Sequence, residues 1–221
     1  MKKQLFKPLL IAAIAFGVIS CGEKKNETEA TEAKEAATAA ATATKFNVDT
    51  QTSSIAWMGS KPTGTHNGTV DLSEGVVKVE GDKITGTFII DMTSIEVQDL
   101  EGDQKANLES HLKGTAEGKE DDFFNVNKYP TAVFTVTGVN DMNGKKMMEG
   151  NLTMKGEKKN ISFPVSYQIK GDMMELTSEP FTIDRTNWGI EFMSKSIVDD
   201  IKNGVISDDM QLTINLKANK A

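Results

Sequence analysis

From Lys45 onward the chain is a succession of short segments in which apolar and polar residues alternate, each closed by a break that usually carries glycine. Alternation of period two places every second side chain on one face of a strand. Ile55 and Trp57 share a face, and His66, Gly68, Val70 and Leu72 share the next. Val77 and Val79 resume after Ser73-Glu74-Gly75, and Ile84, Gly86, Phe88 and Ile90 stand opposite Thr85, Thr87 and Asp91. Ala132, Phe134 and Val136 form another set, as do Met148, Gly150, Leu152 and Met154, and then Ile161 to Ile169 in steps of two. Met210, Leu212, Ile214 and Leu216 close the chain. Asn143-Gly144 is the strongest hairpin signal, because a tight I′ turn needs positive φ at both positions. Many strands with one apolar face each imply antiparallel sheet with one wet side. Closing that sheet on itself removes its edges. The predicted fold is therefore all-β with short helical insertions, an antiparallel barrel of about eight strands.

Two insertions carry helical spacing. In Asp103–Lys113, Leu108 and Leu112 lie four apart and Gly114 suits the C-cap. In Ser194–Asn203, Ser196 with Asp199 three residues on resembles a capping box, Ile197 and Ile201 make a stripe, and Gly204 follows. Between the first helix and the next strand lies Asp121-Asp122-Phe123-Phe124-Asn125-Val126, then Tyr129-Pro130. Two adjacent phenylalanines behind two acids read as a short helical turn whose rings plug the end of the sheet. Asp121-Asp122 then reads as a charge pair at a helix N-terminus, and Pro130 forces Tyr129 toward extended geometry.

The first 44 residues are of another kind. Lys2, Lys3 and Lys7 precede an apolar run, Leu9 to Ile19, about half the length a spanning helix needs. Residues 1–20 are expected to be a signal peptide. The run ends Val18-Ile19-Ser20-Cys21, which resembles a bacterial lipobox, and Cys21 is the only cysteine. Acylation at Cys21 is the expectation, with an ordinary signal and a chance cysteine as the alternative. Residues 21–44 are nearly all Ala, Thr, Glu and Lys, too poor in apolar surface to offset ordering entropy. They are expected to form a lipid-anchored tether, and residues 45–221 the barrel domain. Gly22 after the cysteine favours the outer membrane, facing either the periplasm or the cell surface.

Composition excludes much. A formal charge of −7 without a basic stripe argues against nucleic acid. Two histidines, His66 and His111, leave little for a multi-histidine metal site or a serine–histidine pair. No cofactor, no metal and no catalytic group is expected. Four Asn-x-Ser/Thr triplets, starting at Asn26, Asn67, Asn151 and Asn160, are taken as chance in a bacterial lipoprotein.

Phe46-to-Trp57, Gly64-to-Val70 leading through Gly86 to Ile95, the Phe123-Phe124 stretch, Gly150-to-Val165, and Phe181-Thr-Ile-Asp-Arg-Thr-Asn-Trp-Gly-Ile190 occur in a specific order. Together they resemble the YceI-like lipid- and polyisoprenoid-binding family. The sequence departs from it at Ser53-Ser54, where the family often has histidine, and in a long Gly114–Asp122 segment. The resemblance implies an elongated lipocalin-like barrel with an apolar tunnel for an isoprenoid, quinone-like or similar long-chain amphiphile. With the acylated cysteine, the expected function is a non-catalytic carrier or storage lipoprotein of the envelope, and a homodimer is a further expectation. A structural or adhesive lipoprotein with a solid core is the alternative.

Inward parity assigns Phe88, Ile90, Phe134, Val136, Leu152, Phe163, Val165, Leu212 and Ile214 to the tunnel wall. The inward glycines Gly68, Gly86 and Gly150 are expected to leave room for a ligand, and methionines to let the wall adapt; filling of gaps and bends is the other reading. Arg185, the only arginine, is a head-group candidate through its fork of donors, or else pairs with a carboxylate such as Asp184 or Asp49. His66 is the second head-group candidate, or else a core histidine satisfied by backbone.

Overall fold

The computed structural model describes residues 27–194, 196–197 and 204–221. The expected signal peptide, Cys21 and most of the expected Ser194–Asn203 helix lie outside the described residues. The strands are β1 (Thr31–Glu32), β2 (Thr44–Val48), β3 (Ser54–Lys61), β4 (Gly64–Glu80), β5 (Lys83–Val97), β6 (Thr131–Met142), β7 (Lys145–Met154), β8 (Glu157–Lys170), β9 (Met173–Ser178), β10 (Phe181–Asp184) and β11 (Asp209–Lys220). Helix α1 (Gly102–Lys113) joins β5 to β6, and a 3₁₀ turn, Arg185–Trp188, follows β10.

Eight strands close a ring. From β3 the antiparallel pairing runs through β4, β5, β6, β7, β8, β9 and β11, and β11 pairs back on β3. β2 prolongs β3, and β10 prolongs β9 along β11. Asn143-Gly144 turns β6 into β7 with positive φ at both residues, as the sequence predicts. Lys155-Gly156 uses the same device between β7 and β8, where sequence alone gives no such signal.

Three irregularities bend the wall and reset its inward parity. In the β4–β5 pair, β5 carries the extra residues between Asp91 and Glu96, opposite Thr69–Asp71, and β4 carries one extra residue between Leu72 and Glu74, so Leu72 and Val77 are both buried despite unlike parity. A shift between Val136 and Gly138 does the same in β6. In β5, Thr93 N–H and Oγ1 donate to Asp91 Oδ1 and Ser94 Oγ donates to the Asp91 carbonyl, and burial passes from Met92 to Ile95.

The interior has two halves. Away from α1 it is packed solid by Phe46, Val77, Ile84, Met174 and Ala218, all at most 2% exposed. Toward α1 it is hollow. Ile169, expected on the apolar face of β8, lies beyond the core near the turn into β9 and is exposed.

The segment before β2 corrects an expectation. Residues 21–44 were expected to gain nothing by packing, yet from Glu27 to Ala37 the chain is bonded to the outside of the barrel. Thr28 N–H donates to the Thr182 carbonyl of β10 at 2.9 Å. Its Oγ1 donates to the Ser162 carbonyl of β8 and accepts from Ser162 N–H. β1 pairs Thr31 with Asn160 and Glu32 with Lys159. Farther along, Lys34 N–H donates to Asn151 Oδ1 at 3.0 Å, and Asn151 Nδ2 returns a bond to the Lys34 carbonyl at 2.7 Å. Ala37 N–H reaches the Val136 carbonyl of β6. Backbone bonds and two buried asparagines do what apolar surface cannot. Asn151 and Asn160, read as chance triplets, are 7% and 3% exposed and bonded to each other beneath this strap.

Candidate ligand cavity

The hollow half encloses a cavity of about 340 Å³. Its wall comes from all eight ring strands and β10, because each contributes inward apolar residues at this level. Phe88, Ile90, Phe134, Leu152, Phe163, Leu212 and Ile214 line it as the sequence predicts. Val136 and Val165 do not. They are buried, 1% and 6% exposed, but belong to the packed side of the interior. Met92, Met148, Met154 and Met210 also line the cavity, a flexible, polarizable lining that suits a ligand of variable shape.

The glycines do not create this space. A Cβ on Gly150 would fall 2.1 Å from the Phe134 ring, which covers the glycine across the β6–β7 pair. One on Gly68 would fall 1.8 Å from the Glu96 carbonyl oxygen, and one on Gly86 2.8 Å from that of Val76. Neighbouring groups already use the room these residues free. α1 and the Phe123-Phe124 plug close over the void and contribute to its lining.

α1 ends at Gly114, whose φ of 68° is the left-handed cap the sequence predicts. It presents Leu108, His111 and Leu112 to the cavity. The Phe123-Phe124 stretch is a series of turns rather than a helical turn. Asp121 and Asp122 are therefore not at a helix N-terminus. Asp121 accepts from Asn125 Nδ2, and Asp122 Oδ2 lies 2.7 Å from His111 Nε2. Both phenylalanines line the cavity as expected of a plug, Phe123 at 7% exposure. The His111 ring meets Phe123 and Phe192 edge-on, each at 5.0 Å between centroids. Backbone bonds from Phe124 and Val126 to the last carbonyls of α1 fix the plug to the helix.

Arg185 and His66 both reach the cavity lining, and their partners decide what they can do. Arg185 is 4% exposed. Its Nε donates to the Ser207 carbonyl at 3.0 Å, Nη1 to Ile190 at 2.6 Å, and Nη2 to Phe192 at 2.9 Å and Ile206 at 3.2 Å. Asp208 Oδ1 lies 3.6 Å from Nη2. The fork is thus spent on stitching the two sides of the Ile190–Asp208 excursion together. The carboxylate partner is Asp208, not Asp184 or Asp49. Burial pushes the guanidinium below its ordinary value, against the pull of Asp208 and Asp184. For Asp208, burial raises the carboxyl, but hydrogen bonds from Ser194 and Ser196 and the charge of Arg185 outweigh it, so the carboxyl sits below its usual value.

His66 stands at the rim, and Asp99 Oδ2 is 2.9 Å from its Nδ1. Asp99 also accepts from Asn67 N–H. Lys61, Ser60, Ser207 and Asp209 complete a polar rim, while the body of the wall is apolar.

Signals missed in the sequence sit on β9, on β10 and just past the turn that follows it, and at the end of β5. Leu176, Phe181, Ile183, Ile190, Met92 and Ile95 all line the cavity. β9 and β10 are short and separated by Glu179-Pro180, so their period-two pattern never reaches a readable length. The aromatic residues of Phe181–Ile190 were the available signal: the Phe181 ring stacks on Phe163 at 4.3 Å. Trp188, wholly buried, donates from Nε1 to the Leu152 carbonyl. Among the described residues no group of three or more His, Cys, Asp or Glu lies together as metal ligands would, and no helix is long and apolar enough to cross a membrane.

A closed antiparallel barrel, solid at one end and holding a capped apolar cavity at the other, defines a lipocalin-like barrel built around an internal space. The chain belongs to the YceI-like family: the model of the YceI-like domain matches residues 46–218. Among solved structures it is similar to Burkholderia cenocepacia BcnA, with TM-score 0.61 and 20% identity over 78% of this chain and 99% of that one. It is also similar to a polyisoprenoid binding domain from Saccharophagus degradans implicated in plant cell wall breakdown, with TM-score 0.57 and 14% identity over 80% and 98%. No curated protein matches the chain.

Proposed function

We propose that the barrel binds a long-chain amphiphile, with an isoprenoid or quinone-like lipid as the leading class, and acts as a carrier or store rather than a catalyst. The observation that carries this reading is the 340 Å³ apolar cavity under the α1–Phe123 cap. Volumes of this order belong to small-ligand sites. Apolar surface taken from water stabilises a bound tail by about 25 cal/mol per Å². The polar rim suits one head group at the water side. Binding of a polyisoprenoid by the similar Saccharophagus domain supports the ligand class.

We further propose that Cys21 is acylated and holds the protein to a membrane of the cell envelope, the outer membrane being the better fit to Gly22. Acyl chains contribute about 0.8 kcal/mol per buried methylene, so more than one chain gives stable attachment. The test is organic extraction and mass spectrometry of the full chain purified from the envelope of its host. About one long-chain amphiphile per chain is expected. Repeated extraction of a lipid-free chain would overturn the binding reading.

A further inference from the structure

On one side of the barrel the wall is not made by ring strands alone. β9 pairs with β8 only from Val165 to Lys170. Beyond Glu179-Pro180, β10 pairs with β11 and leaves the facing edge of β8 free. The strap fills that seam. Thr28 bonds at once to Ser162 on β8 and Thr182 on β10, and Glu27 bridges to Thr182. The strap then crosses outside β7 and β6 through Asn151 and Val136.

This placement changes what the low-complexity segment can do. As a free tether, residues 21–44 span up to about 80 Å at 3.3–3.6 Å per residue, enough for the barrel to tumble clear of a surface. With the strap docked, only the six steps from Cys21 to Glu27 remain, a reach of about 20 Å. We propose that the strap is an orienting device: it presses the β8–β10 seam of the barrel to the lipid bilayer and turns the opposite wall, β4, to water. The inference rests on the reading of Cys21 as the acylated residue. Behind the seam the cavity wall is Ile161, Phe163, Phe181 and Ile183, so the side held to the bilayer is the side where the strap fills the gap between β8 and β10.

The test uses the full lipidated chain reconstituted in phosphatidylethanolamine–phosphatidylglycerol vesicles carrying a rhodamine-labelled lipid as energy acceptor. A donor dye is placed by Lys158→Cys beside the seam or by Asp71→Cys on β4, both exposed positions. Acylation consumes the only native thiol, so labelling is unambiguous. Transfer is expected to be several-fold more efficient from position 158 than from 71. A strap-side variant, Thr28→Pro with Lys34→Pro and Ala37→Pro, removes three docking N–H donors and the Thr28 hydroxyl while leaving every barrel residue unchanged. With its circular dichroism unchanged, it should bring the two efficiencies together. Equal transfer from both positions in the unaltered strap, or an asymmetry that the proline variant leaves intact, would overturn the proposal. A chain that fails to stay on the vesicles at all removes the acyl anchor itself, an outcome distinct from a chain bound without preferred orientation.

Discussion

Arg185→Gln separates a stitching role from a head-group role. The guanidinium supplies four hydrogen bonds to backbone carbonyls and faces Asp208 at 3.6 Å. A glutamine amide has two N–H donors and no charge, so at least two of the four bonds are lost and Asp208 is left without its cation. Hydrogen bonds to charged groups contribute about 1.5–3 kcal/mol each. Breaking a buried ion pair by removing one partner costs about 3–5 kcal/mol. These overlap rather than add, and the expected loss is about 3–5 kcal/mol. Arg185→Lys should recover little, because one ammonium cannot reach carbonyls on both sides of the excursion. Urea unfolding monitored by tryptophan fluorescence gives the change from the midpoint at constant slope. If Arg185→Gln unfolds at the wild-type midpoint and instead loses its extractable lipid, the guanidinium holds the ligand and the stitching account is wrong.

Two further outcomes follow from the same geometry. Leu152→Trp places an indole against the cavity and should leave the midpoint close to wild type while excluding lipid; Val165→Trp enters the packed side and should cost about 1–3 kcal/mol or more. The midpoints and the extracted lipid check both. Asp208, lowered in the folded state, contributes stability that is present above the unfolded carboxylate value and is lost as pH falls through the lower folded one. Stability should therefore hold from neutral pH to about pH 4 and fall below it, and Asp208→Asn should make that acid fall shallower.

The barrel was legible because its signal is local. Alternation in Ile84–Ile90, Ala132–Val136 and Met210–Leu216 needs no partner to be read, and seven of nine predicted wall residues line the cavity. Parity assigns a face but not a depth along the barrel axis. That is why Val136 and Val165 were grouped with Phe134 and Phe163 although they lie off the cavity. Depth depends on strand stagger, which only the pairing register fixes. The glycines misled for a related reason: Gly150 looks like free space until the cross-strand Phe134 is placed over it. The strap was illegible because its affinity lies in backbone groups matched to Asn151, Ser162 and Thr182, more than a hundred residues away. Arg185 was half legible. Its sequence neighbours suggested a carboxylate, but the carbonyls it binds belong to an excursion whose two sides meet only in the fold.

The central claim is that the cavity takes an apolar chain, and Trp57 is its built-in reporter. Trp57 lines the cavity, whereas the other tryptophan, Trp188, does not. Delipidated full chain titrated with farnesol, a short isoprenoid alcohol, should show a tryptophan fluorescence change that saturates near one equivalent and is abolished by Leu152→Trp once that added indole is accounted for. A change that grows linearly with farnesol and never saturates, in a chain whose fold is intact, would contradict the account.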